Sequence, residues 1–118
     1  MAEANVPFYV CPGTSSWNSL TGRLDNATKN LYEAASAGAN HQATGYLVTD
    51  WGDHGHHQTL PVSYPGFVLG ASASWNAASS VSRSLAQGIN LVFLDQQAPT
   101  LADRVVTMGK FPQLKPRP

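Results

Sequence analysis

The chain has 118 residues, with seven Lys plus Arg against seven Asp plus Glu, so its formal net charge is zero. That balance leaves no basic footprint for nucleic acid and no acidic tail for a basic partner, and the length fits one domain at most. Charged residues make up only 12% of the chain, about half the usual share of roughly 25%, which implies that much of its surface is meant to be covered by other protein.

Met1-Ala2-Glu3-Ala4-Asn5 has neither a basic stretch nor a long apolar one, so it does not read as a secretory signal. No apolar run approaches the roughly 18 residues that span a membrane, and the expected location is cytoplasmic. The one cysteine, Cys11, cannot form an internal disulfide. Phe8-Tyr9-Val10-Cys11, between Pro7 and Pro12, is an uninterrupted apolar run, which predicts a strand buried on both faces with Cys11 as a small core residue. Pro12-Gly13-Thr14-Ser15-Ser16 breaks it as a loop. Leu24, Ala27, Leu31, Ala35 and Gly38, spaced by three, four, four and three, predict one face of a helix. Asp25 is its expected N-cap and Gly38 its expected stop.

Gly45-Tyr46-Leu47-Val48-Thr49 predicts a second strand, ending in the polar and aromatic loop Asp50-Trp51-Gly52-Asp53-His54-Gly55-His56-His57. Strand, loop, helix and strand in this order predict two parallel strands joined by a right-handed crossover. A further helix is expected over Tyr64 to Trp75, with Tyr64, Phe67, Val68, Ala71 and Trp75 on its apolar face. Gly66 and Gly70 there point to close packing against a neighbour. The last third reads as helical. Ser80 is expected to cap a helix through Leu85 that Gly88 interrupts, and Thr100-Leu101-Ala102-Asp103 has capping-box spacing. Leu101, Val105 and Met108 continue one face, Gly109 closes it, and Phe111 to Pro118 reads as a frayed tail.

Chemistry-bearing residues gather in the two loops after the strands, where parallel α/β folds bind ligands. The first loop holds Thr14, Ser15, Ser16, Trp17 and Asn18; the second holds Asp50, Trp51, Asp53 and His56. An exposed indole beside carboxylates and amides suits a sugar, whose C–H face packs on the ring while its hydroxyls donate to the carboxylates. Composition alone leaves a second reading open, in which Trp17 and Trp51 are core residues capping the strands. His54, His56 and His57 with Asp50 and Asp53 have the residue types of a zinc site. Neighbours in an extended loop point in different directions, however, and His41 is the sole further histidine, so no metal and no cofactor are expected.

Three ordered blocks carry a family resemblance: Val10-Cys11-Pro12-Gly13-Thr14-Ser15-Ser16-Trp17-Asn18-Ser19, Gly45-Tyr46-Leu47-Val48-Thr49-Asp50-Trp51-Gly52-Asp53 through Gly55-His56 and Gln58, and Leu60-Pro61-Val62-Ser63-Tyr64-Pro65-Gly66-Phe67. Together they resemble the C-terminal part of the catalytic barrel of glycoside hydrolase family 20, the β-N-acetylhexosaminidase type. The resemblance implies an α/β fold: a fragment of a (β/α)8 TIM barrel, namely its last two βα units with strands 7 and 8, followed by C-terminal helices. It divides the chain into barrel units over 1–78, a helical extension over 79–111 and a flexible tail over 112–118. It also implies exo-hydrolysis of β-linked N-acetylglucosamine or N-acetylgalactosamine by a retaining, substrate-assisted mechanism, in which the acetamido oxygen attacks the anomeric carbon.

In that family an adjacent Asp-Glu pair supplies the acid and orients the acetamido group. No Asp-Glu dipeptide occurs among Glu3, Asp25, Glu33, Asp50, Asp53, Asp95 and Asp103, and a full barrel needs about 250 residues. The expectation is therefore a fragment, or the product of a split or truncated gene, that is inactive alone and contributes the terminal-sugar subsite. The resemblance implies that Trp51 forms part of the aromatic wall and that Asp53 accepts from the O4 and O6 hydroxyls. Trp17 is a further wall, and Asn18 and His56 are further candidate contacts. Asp50 is either a contact or a group orienting the loop. The expected partners are β-linked N-acetylhexosamine glycans and the missing N-terminal barrel portion, with no nucleic acid and no membrane. The alternative is a non-catalytic carbohydrate-binding or interaction module.

Overall fold

The computed structural model describes residues 1–52, 55, 57–78 and 84–111. Two short strands, β1 (Tyr9–Val10) and β2 (Gly45–Tyr46), pair in parallel with Tyr9 opposite Gly45 and Val10 opposite Tyr46. The pairing continues past both strands through Leu47 N–H to Val10 O and Thr49 N–H to Pro12 O, each 2.9 Å, and closes with a parallel bridge between Gly13 and Thr49. Among the described residues, four α-helices accompany the pair: α1 (Leu24–Asn40), α2 (Tyr64–Trp75), α3 (Leu85–Phe93) and α4 (Pro99–Gly109). The architecture is mixed α/β and mostly helical. Among the described residues, no helix is long and apolar enough to cross a membrane.

Helix α1 buries Leu24, Ala27, Leu31, Ala35 and Gly38, the stripe read from the sequence spacing. Its ends differ from expectation. Arg23 occupies the N-cap position without a side-chain cap bond, and Asp25 lies inside the first turn, where its charge still meets the positive end of the helix dipole. Gly38 does not stop the helix, which runs on to Asn40. A Cβ at Gly38 would stand 3.0 Å from Val10 Cγ2. The residue is glycine because the Val10 side chain packs onto the helix backbone there, not because the chain turns.

The strands are covered on one face only, which corrects the expectation of burial on both. Tyr46 and Val48 pack against the core of Leu24, Ala27, Leu31 and Leu69, and the Tyr46 hydroxyl donates to Leu31 O at 2.9 Å. On the other face Tyr9 is 60% exposed, Leu47 is 52% exposed, and Cys11 is exposed rather than a core residue. Helices α1 and α2 lie on the covered side, and no described element lies on the other.

Helix α2 has the predicted bounds but buries Pro65, Gly66, Leu69, Gly70 and Ala73 rather than the predicted stripe. Ala71 is exposed and Trp75 stands 93% exposed. The helix is apolar almost all round, so periodicity could not choose a face; its two internal glycines did. A Cβ at Gly66 would sit 2.8 Å from the Thr14 side chain, and one at Gly70 would run into Val48 and touch Leu31. Tyr64 and Phe67 turn to α3 instead, where Tyr64 stacks on Phe93 with ring centroids 4.1 Å apart.

The helix start expected at Ser80 lies within residues 79–83, outside the described residues; helix α3 spans Leu85–Phe93. Ser84 caps it, its hydroxyl accepting from Gln87 N–H at 3.1 Å. Gly88 sits within the helix instead of interrupting it, close to Val68. Helix α4 starts at Pro99, so Thr100 is a first-turn residue and no capping box forms. It ends at Gly109 as expected, but it buries Ala102 and Gly109 while Leu101 and Met108 face solvent. Small residues win that face because α4 is drawn close to α1: a Cβ at Gly109 would stand 3.1 Å from Leu24 Cβ. Ile89 and Ala102 form a second core cluster, joined to the first through Leu85 and Val106.

Candidate functional site

The carboxyl ends of the two strands are drawn together by one carboxylate. Asp50 Oδ1 accepts from Thr14 Oγ1 at 2.5 Å and from Ser63 Oγ at 2.9 Å. Thr14 and Ser63 are buried and Asp50 is half-buried, so the loop after β1, the loop after β2 and the entry to α2 share a part-buried polar joint. Both donors need this partner, since a buried hydroxyl without one is costly. Asp50 thus ties the two loops and the entry to α2 together through two hydroxyls.

The first loop takes a conformation that needs support. Ser15 has φ 59 and Asn18 φ 50, the left-handed region that costs an ordinary L-residue about 1–2 kcal/mol. Asn tolerates this region, and Ser15 is held from α1: Asn26 Nδ2 donates to Ser15 Oγ at 2.6 Å, and Arg23 Nε donates to Ser15 O at 3.2 Å. Asn30 Nδ2 donates to Gly13 O at 3.0 Å, fixing the loop one step earlier. Beyond the turn, the Arg23 guanidinium lies over the Trp17 ring at 5.1 Å and donates through Nη2 to Trp17 O at 2.6 Å.

In the second loop the Trp51 indole N–H donates to Thr49 Oγ1 at 2.8 Å, and the Thr49 hydroxyl donates to Pro12 O at 3.1 Å. This relay fixes the Trp51 ring beside Gly13. Trp17 is 41% exposed and Trp51 57% exposed, so neither caps the strands as a core residue. The two indoles line one cavity of about 450 Å³ together with Gly13, Ser15 and the Asn26, Lys29, Asn30 and Glu33 side of α1. Lys29 and Glu33 pair across one turn at 3.9 Å, both exposed, a contact worth about 0–1 kcal/mol.

The sequence-predicted residues thus separate. Trp17 and Trp51 come together. Asp50 bonds to Thr14 and Ser63 and does not line the cavity, and Asn18 is exposed on the turn and does not line it either. Asp53 and His56 lie outside the described residues, as does His54. Asn26, Asn30 and Arg23 were missed by sequence reasoning. Among the described residues, no group of three or more His, Cys, Asp or Glu could hold a metal ion.

A larger cavity of about 510 Å³ opens at the opposite end of the strands, lined by alanines and glycines with Trp75 at its rim. The carboxyl end is the better candidate, because in parallel α/β folds ligands bind there and because both polar and aromatic groups converge on it. Comparison with family models, with curated proteins and with solved structures finds no match.

Proposed function

We propose that this chain carries the terminal-sugar subsite of a β-N-acetylhexosaminidase-like glycoside hydrolase of family 20, its two strands standing as the last two of a (β/α)8 barrel. One observation supports this reading above the rest: two exposed indoles line a single polar cavity at the carboxyl ends of two neighbouring parallel strands. Indole faces pack on the C–H face of a pyranose, and amide and carboxylate groups around them meet its hydroxyls. Trp51 and Trp17 are the walls under this reading, and Asp53 receives the O4 and O6 hydroxyls. In the full enzyme the substrate's acetamido oxygen attacks the anomeric carbon while an Asp-Glu pair supplies the acid. This chain has no Asp-Glu pair and hydrolyses nothing alone.

The bare strand face of Tyr9, Cys11 and Leu47 fits the same reading, since parallel sheets are normally covered on both faces. The rest of the barrel, as a separate chain or as further sequence, is the partner that face requires. A second reading, a non-catalytic carbohydrate-binding module, is favoured by the continuous core that joins α1 and α2 to α3 and α4.

The purified chain, titrated with the β-linked disaccharide of N-acetylglucosamine, should show a saturable change in tryptophan fluorescence that Trp51→Ala abolishes. A chromogenic N-acetylglucosaminide should not turn over above a buffer blank. An unchanged titration in Trp51→Ala would exclude the sugar site, and turnover that depends on Trp51 would exclude the incomplete-enzyme reading.

A further inference from the structure

We propose that Arg23 is a positioning residue that holds Trp17 as a fixed, one-sided wall of the cavity, so that the sugar packs on the indole face turned away from the guanidinium. The inference rests on the sugar-site reading above and names a residue that the sequence reading of the two loops did not single out. Arg23 stands immediately before α1, and its own carbonyl accepts from Ala27 N–H at 2.9 Å, so its backbone is tied to the most regular element of the fold. From that anchor the side chain reaches back across the loop with three contacts: Nε to Ser15 O, Nη2 to Trp17 O, and Cζ over the Trp17 ring.

Each contact removes a freedom that an exposed loop tryptophan would otherwise keep. The bond to Ser15 O supports the left-handed turn that aims the following residues. The bond to Trp17 O fixes the backbone carrying the indole. The guanidinium sits over one ring face at 5.1 Å, a favourable cation–π arrangement, while the same indole lines the cavity. A wall already ordered spares the ligand the entropy of ordering it. Arginine suits this task where lysine does not, because its planar fork can donate to two acceptors and stack at once.

The full chain labelled with 5-fluorotryptophan gives three fluorine resonances, for Trp17, Trp51 and Trp75, assigned by single Trp→Phe variants. Wild type is titrated with the β-linked N-acetylglucosamine disaccharide beside Arg23→Met and Arg23→Lys, with Trp75 at the other end of the strands as the internal control. In both variants the Trp17 resonance should shift and broaden before any sugar is added while Trp51 and Trp75 hold still, and the dissociation constant should rise about tenfold in Arg23→Met. Arg23→Lys should recover only part of that loss. If wild type binds and both variants bind as tightly, Arg23 positions nothing and the sugar site stands without it. If the disaccharide moves no wild-type resonance, the sugar site itself is overturned and the role of Arg23 falls with it.

Discussion

Replacing Asp50 by alanine should destabilise the chain more than any other change to a partly exposed carboxylate in it. The side chain accepts two hydrogen bonds, from Thr14 and Ser63, and bonds to a charged group contribute about 1.5–3 kcal/mol each. Ser63 is 0% exposed, so its hydroxyl gains no water when the carboxylate goes. Because Asp50 itself is only half-buried, the low end of the range applies and the expected loss is about 3 kcal/mol. With a urea slope of about 1.5 kcal/mol/M, that loss moves the midpoint down by about 2 M. Asp50→Asn keeps an acceptor in place and should lose about half as much, since charge assistance roughly doubles such bonds. A double-mutant cycle with Ser63→Ala should return a coupling of about 1.5 kcal/mol or more. The assay is urea unfolding followed by far-UV circular dichroism on dilute samples. A midpoint that falls by no more than an ordinary surface change, about 0.5 kcal/mol, in Asp50→Ala would refute the joint.

Gly70→Ala places a methyl against Val48 and Leu31 and should cost about 1–3 kcal/mol by overpacking; equal unfolding midpoints for variant and wild type would show that α2 can slide to make room. Burial, with Tyr32 nearby adding to it, pushes the Tyr46 phenol from 10.0 up to about 12. The folded state resists ionisation of that group while the unfolded state does not, so its contribution is complete below about pH 10 and is lost as pH rises towards about 12. Urea midpoints measured across that window should fall, and Tyr46→Phe should flatten the fall while lowering the plateau through loss of the bond to Leu31. The bare strand face should make the isolated chain self-associate: sedimentation should show species larger than a monomer, with dye binding to exposed apolar surface. A dilute monomer with a sharp calorimetric transition would favour the carbohydrate-binding module.

What the sequence disclosed depended on how one-sided each element is. In α1 the apolar residues form a single stripe against polar neighbours, so Leu24, Ala27, Leu31, Ala35 and Gly38 could be read off their spacing. In α2 apolar residues occupy nearly every position, and the buried face was decided by the glycines that admit Thr14 and Val48. The same held for α4, where Ala102 and Gly109 face the core because they are small, while the more hydrophobic Leu101 and Met108 do not. At the candidate site the tryptophans were legible, because large aromatics in a strand-end loop stand out. Their supports were not. Arg23, Asn26 and Asn30 sit among residues that look like any solvated helix flank, and the bond from Ser63 to Asp50 joins positions that only the fold brings together. The i, i+4 pair of asparagines opening a helix just after a polar loop was the available signal.

The Asp50 joint also sets an order of assembly. It ties residues 36 apart on one side and 13 apart on the other, and the longer span encloses all of α1 and β2. Helical turns form from near neighbours in well under a millisecond, whereas this tie must wait until β2 has found β1. The loops that carry Trp17 and Trp51 are therefore finished only after the strands have paired. Helical content and the shape of the recognition surface are then separate quantities: an event that peels β2 from β1 dismantles the cavity and leaves most of the helix intact. Whatever covers the bare strand face, by holding β1 and β2 together, governs whether the two indoles line one cavity at all.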